Sequence, residues 1–126
     1  MSKQKAPRRV GDNEALSVGT TIRGSAQKLN LVAALIRGRK VEDAMNILTF
    51  SKKAMAVDVR KVLASAVANA ENNHNLDVDA LVIQEASVGK SISMKRWHAR
   101  GRGKSTRIVK PFSRIRIVVR EQDEEA

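Results

Sequence analysis

From Ala86 to Arg120 the chain carries eleven lysines and arginines and no acidic residue. The middle of that window, MKRWHARGRGKSTR at residues 94–107, has six basic side chains in fourteen positions and two glycines bracketing Arg102. A segment so charged and so poor in apolar surface cannot offset the entropy of its own ordering, so it belongs to no hydrophobic core. Its flanks are different. DALVIQEASVGKSISM and IVKPFSRIRIVVRE both alternate; in the second, Ile115, Ile117 and Val119 point one way and Arg114, Arg116 and Arg120 the other. Two strands joined by a basic connector make a hairpin. With Ile83 and Ile117 as core-facing neighbours, the chain turns near residue 100. Residues 80–88 and 112–120 are apolar enough to pack on a body. Residues 89–111 are not, and two arms of about eleven residues would project about 35 Å. A bare two-stranded ribbon of that length is marginal in water, so this finger is expected to need a partner.

The body precedes it. Residues 1–15 lack periodicity and read as a flexible basic arm. GTTIRG, residues 19–24, reads as a short edge strand. Ser25 caps a helix from Ala26 whose Leu29, Val32, Ala33 and Ile36 share one face, with Gly38 at its C′ position. VEDAMNIL fits a second helix, with Glu42 and Asp43 at its positive end and Ala44, Ile47 and Leu48 inward. A third helix is expected from Lys52 to about Asn72, capped by Ser51, with Met55, Val59, Val62, Ala66 and Ala70 as its stripe. The expected fold is α+β: one domain over residues 16–120, including the finger, then a short acidic tail at 121–126. With three aromatic residues in 126, the core must be built from Ala, Val, Leu and Ile.

The net charge of +11 calls for a polyanionic partner. Its placement says where. The first 84 residues hold thirteen basic and eight acidic side chains, a surplus of five, so the excess sits on the finger. Without cysteine there is no disulfide framework, and an intracellular setting is the simplest reading. No apolar run is long enough to span a membrane, and the first residues have no secretory h-region. Catalysis, a metal site and a cofactor are not expected. His74 has no partner spaced for ligation or proton transfer, and Asp77 and Asp79 fit a turn entering a strand.

Candidate RNA contacts on the body are Arg23, Lys28, Arg37, Lys40, Lys52 and Lys53. Arg37, Arg39 and Lys40 also suit a helix C-terminus, and a docked anion would relieve Lys52 and Lys53 at a helix start, where solvation alone is the other reading. On the finger the candidates are Lys90, Lys95, Arg96, Trp97, His98, Arg100, Arg102, Lys104, Arg107 and Lys110, with Arg114 on the returning strand. Trp97 is the only tryptophan and lies where no core exists; stacking on a base or an arginine plane would use its area. The rival readings are a DNA-binding arm, which often carries an apolar wedge absent from Ala99 to Gly103, and a membrane-surface module, for which no basic amphipathic helix is present.

SAQKLNLVAALIRGRKVEDAMNIL, SAVANAENNHNLDVDAL and SMKRWHARGRGKSTRIVKPFSRIRIVV, in that order, resemble the family of the bacterial large-subunit ribosomal protein twenty-two, from about Gly19 to Arg120. The resemblance implies three helices on a three-stranded antiparallel sheet with a long protruding β-hairpin. It implies a structural, non-enzymatic role in the cytoplasmic ribosome: early binding to large-subunit ribosomal RNA, contacts with neighbouring ribosomal proteins, and a body near the outer opening of the peptide exit tunnel. It further implies that the hairpin tip lines the tunnel, borders the macrolide pocket and meets the nascent peptide. Matching tip positions are Met94, Lys95, Arg96, Arg100, Gly101, Arg102, Gly103 and Lys104, continuing to Arg107. The chain departs from the family pattern at Ala99, where a proline is usual, at Trp97-His98 before it, and at Pro111-Phe112.

Overall fold

In the computed structural model, which describes residues 11–122, the chain forms β1 (Glu14–Arg23), α1 (Ala26–Ile36), α2 (Val41–Phe50), α3 (Met55–His74), a 3-10 turn (Val78–Ala80), β2 (Leu81–Ala99) and β3 (Ser105–Glu121). The strands make one antiparallel sheet in the order β1-β3-β2. The side chains of Ala15, Ile83, Ala86, Ile115, Ile117 and Val119 are buried. Against them α3 lies over β1 and α1 over β2. Among the described residues every buried hydrophobic is Ala, Val, Leu or Ile, the core that a chain so poor in aromatics requires.

Ser25 begins α1 as expected: its hydroxyl accepts from the Lys28 amide at 3.3 Å. Leu29, Val32, Ala33 and Ile36 are all buried, and Gly38 follows the cap Arg37 with φ +75°. α2 runs two residues beyond VEDAMNIL; Val41, Ala44 and Leu48 are buried and Ile47 is half-buried.

The third helix differs from expectation at its start. Ser51 closes α2, and its hydroxyl accepts from the Lys53 amide at 3.3 Å. Lys52 and Lys53 therefore lie in a connector, and α3 begins only at Met55. Two cations in a first turn oppose the helix dipole, so a later start is favoured. The buried stripe is turned accordingly: Ala56, Val59, Leu63, Ala66 and Ala70 are buried, while Met55 and Val62 are half-buried against the core.

β1 is also longer than the run at residues 19–24. It takes in Glu14 and the buried Ala15, so the expected arm ends before Glu14; residues 1–10 of that arm lie outside the described residues. Small inward residues hide this strand in the sequence: Ala15, Ser17 and Gly19 oppose Val119, Ile117 and Ile115. At Gly19 a Cβ would come within 2.6 Å of Val62 Cγ2 on α3. Glu121 ends β3, with its amide donating to the Asn13 carbonyl at 3.0 Å and its carboxylate accepting from the Asp77 amide at 3.3 Å. It is thus part of the sheet rather than of the acidic tail, whose residues 123–126 lie outside the described residues. Asp77 caps the 3-10 turn by accepting from the Asp79 amide, as a turn entering a strand requires.

Candidate nucleic-acid interface

β2 and β3 continue past the end of β1 as a two-stranded ribbon. β1 stops at Arg23, opposite Phe112. Beyond it, seven residue pairs run from Ser93 opposite Pro111 to Ala99 opposite Ser105, about 23 Å of ribbon at 3.3 Å per residue. The unsupported length is thus shorter than the 35 Å expected for residues 89–111, because β1 and the body reach further along the hairpin. From Ile92 to Lys110 every residue is exposed.

The register explains the position of the tip. Ile83 faces Val119, and Ala86 faces Ile117, so the Ile83–Ile117 pairing does not occur. Irregularities between Ile83 and Glu85 and between Lys90 and Ser93 each add one residue to β2. Together with the Ile83–Val119 register, they move the turn from residue 100 to a loop over Arg100–Lys104 centred on Arg102. There the Arg100 amide donates to the Lys104 carbonyl at 2.7 Å, and Arg102 and Gly103 have φ of 62° and 70°. Positive φ at both positions is the signature of a type I′ hairpin turn, whose twist matches that of the strands. Arg102 therefore sits at the apex in a left-handed conformation that costs a non-glycine residue about 1 kcal/mol or more. Gly101 has no atom within 4 Å of a would-be Cβ, so within this chain no close backbone approach requires it.

Pairing sorts the ribbon into two faces, because directly opposed residues share one. Met94, Arg96 and His98 lie with Lys110, Ile108 and Thr106; Lys95, Trp97 and Ala99 lie with Val109, Arg107 and Ser105. On the first face an Arg96 Nη contacts Met94 Sδ at 3.8 Å. On the second the Arg107 guanidinium lies over the Trp97 ring, 5.6 Å from its centroid. Between Lys90 and Lys110 there are eight cations and no carboxylate.

At the root of the ribbon the Gly24 amide donates to the Pro111 carbonyl at 3.1 Å, and the buried Ser113 hydroxyl donates to the Gly24 carbonyl at 2.8 Å. Arg23 ends β1 there, and Lys28 and Lys53 line one hollow with Leu31 and Met55. Arg23, Lys28 and Lys53, distant in sequence, thus gather near the finger's base, with Lys52 next in the chain. Arg37 and Lys40 do not join them. They lie at the other end of the sheet, where Gly38 and Arg39 hydrogen-bond to Ile83 and Lys40 bridges Val82. The Arg37 side chain is engaged within the protein: its Nε donates to the Ala86 carbonyl at 2.8 Å and its Nη2 to Asn30 Oδ1, tying α1 to β2.

The sheet face away from the helices presents Arg114, Arg116 and Arg120. Arg114 and Arg116 border a groove of about 380 Å³ floored by Leu16, Val18, Ser87 and Gly89. Arg116 also approaches Glu85 at 4.0 Å, a half-exposed pair that contributes little. Among the candidate contacts Arg114 represents this face, with Arg23 at its edge opposite Phe112. The alternation of β3 is the signal that would have added Arg116. Among the described residues there is no cluster of three His, Cys, Asp or Glu able to hold a metal, and no helix is long and apolar enough to cross a membrane.

A mildly basic α+β body that displays a bare cationic β-ribbon defines a small polyanion-binding protein of the finger type. Its family is more specific than that. The model of the family "Ribosomal protein L22p/L17e" matches residues 17–120, and the chain belongs to that family. It is 91% identical, over the full length of both chains, to a Sphingopyxis alaskensis protein named large ribosomal subunit protein uL22. The protein of that name from Rhizorhabdus wittichii is 79% identical over 126 residues, covering 100% of this chain and 99% of its own. The one from Agrobacterium fabrum is 63% identical over 124 residues, 98% and 96% of the two chains.

Proposed function

We propose that the chain is a structural, non-catalytic constituent of the large subunit of the cytoplasmic ribosome. It binds large-subunit ribosomal RNA through the finger and the basic cluster at its root, and it supports subunit assembly. The observation that carries this reading is the ribbon: an exposed two-stranded extension with seven cations, no carboxylate and no protein surface beneath it. Folded RNA around it supplies what water does not. Phosphates neutralise the arginines and lysines through charge-assisted hydrogen bonds, and many such contacts together fix one conformation of the ribbon. Most of these contacts position the protein without reading sequence, so RNA shape selects the site. Family membership supports the same reading.

In this proposal the finger carries Met94 to Arg96 and Arg100 to Lys104 to the wall of the peptide exit tunnel. Arg102, at the apex, is the cation most advanced toward a passing nascent chain, and the body contacts neighbouring ribosomal proteins. Replacing Arg100, Arg102 and Lys104 together by Ala tests the RNA contact. The slope of log binding constant against log salt for large-subunit RNA should fall by about two to three units, since each lost phosphate contact removes a little under one. Thermal melting of the body should not change. An unchanged slope would remove the tip from the interface.

A further inference from the structure

We propose that Trp97, with Arg107 held against one side of its ring, is a stacking site for a single unpaired nucleobase of the bound RNA. The inference rests on the RNA-binding reading above and adds to it a defined place and ligand chemistry. Trp97 is 69% exposed, and an indole left so open is the largest unused apolar area on the ribbon. One side of the ring is occupied: the Arg107 guanidinium, on the directly opposed residue, lies 5.6 Å from its centroid. That contact holds the ring in place, so less freedom is lost when a second planar group arrives.

The neighbours on the same face are arranged unequally. Toward the body stand Lys95 and Val109; toward the tip stand Ala99 and Ser105, whose small side chains leave room beside the ring. A planar group approaching from the tip side meets the indole without displacing a bulky side chain. The cations of Lys95 and Arg107 flank the site, so the phosphates on either side of a splayed nucleotide find partners while its base stacks. Bases within a duplex are stacked on their neighbours and offer no free face, which restricts the ligand to loops, bulges and ends.

The chain has one tryptophan and no tyrosine, so the intrinsic emission of the intact protein reports on position 97 alone. The experiment titrates full-length protein with deproteinised large-subunit RNA at fixed salt, following tryptophan emission, acrylamide quenching and filter retention together. Expected are quenched emission and lost acrylamide access along the same curve as retention. A short single-stranded oligoadenylate should also quench, and a blunt RNA duplex of equal charge should not. By filter retention, Trp97→Phe should bind within about threefold of the parent, while Trp97→Leu, similar in apolar character but without a π face, should bind about five- to hundredfold more weakly. Retention of RNA with emission and acrylamide access unchanged overturns the stacking site and leaves RNA binding standing; so does a Trp97→Leu variant that binds like the parent. Absence of retention altogether overturns the RNA-binding reading, and the stacking site with it.

Discussion

Gly19 shows how one residue sets the seating of α3 on the sheet. A Cβ there would lie 2.6 Å from Val62 Cγ2, 3.3 Å from Ile22 Cδ1 and 3.4 Å from Ile115 Cγ2. The nearest atom belongs to a stiff β-branched side chain on a packed helix, so it cannot swing aside cheaply. Gly19→Ala should therefore destabilise the body by about 1–3 kcal/mol through overpacking. The check is urea unfolding: a lower midpoint at unchanged slope marks lost stability, and an unchanged midpoint means that α3 shifts without strain. Arg37 makes a related point about charge. Its position at the end of α1 explains its sign equally well by dipole or by RNA. Its contacts with Ala86 and Asn30 show a structural use that no sequence pattern signals. Ala86, 49 residues away, is visible as a partner only once the sheet is built.

At the scale of elements, strongly periodic segments were legible and small-residue segments were not. α1 was readable from Ser25 to Gly38 because cap, stripe and terminator agree. The alternation of Ile115, Ile117 and Val119 gave the inward face of β3. The first half of β1 was not readable, since Ala15, Ser17 and Gly19 carry too little hydrophobicity to show a period of two. The start of α3 was missed because Ser51 is an acceptable cap by type but serves the connector instead. The irregularities in β2 and the Ile83–Val119 register, invisible to pattern, together moved the tip by two residues. For the candidate site, composition located the finger, whereas the gathering of Lys28 with Lys53 at its root needed the fold. The ribbon is an element without a core of its own: no residue from 92 to 110 is buried, and no core residue comes from it. Local opening there should be far easier than global unfolding. Brief trypsin treatment of free protein should cut between Lys90 and Lys110 first, leaving the body, and bound large-subunit RNA should suppress those cuts. A free ribbon as resistant as the body would show that it is ordered without a partner.

For the whole molecule, the separation of body from ribbon decides how the protein leaves its RNA. A protein held only by surface charge dissociates readily as salt rises, because each neutralised phosphate contact weakens in step; six to ten contacts lose about 10³–10⁵ in affinity between 50 and 200 mM salt. A ribbon enclosed by folded RNA must also withdraw along its length, about 23 Å beyond the last pair backed by β1. That adds a barrier to release which salt does not remove. After cell lysis, tagged full-length protein should therefore sediment with large subunits and remain there through a wash at about 0.5 M salt, conditions under which surface-held proteins come off. A variant in which residues 93–111 are replaced by a short turn keeps the buried core, including Ser113 and the strands that bracket the gap. It should fold and wash away. If the intact protein washes off as readily as the shortened one, the ribbon acts as a charged patch and is not threaded; if only the shortened one is lost, retention resides in the ribbon and the body alone does not hold the subunit.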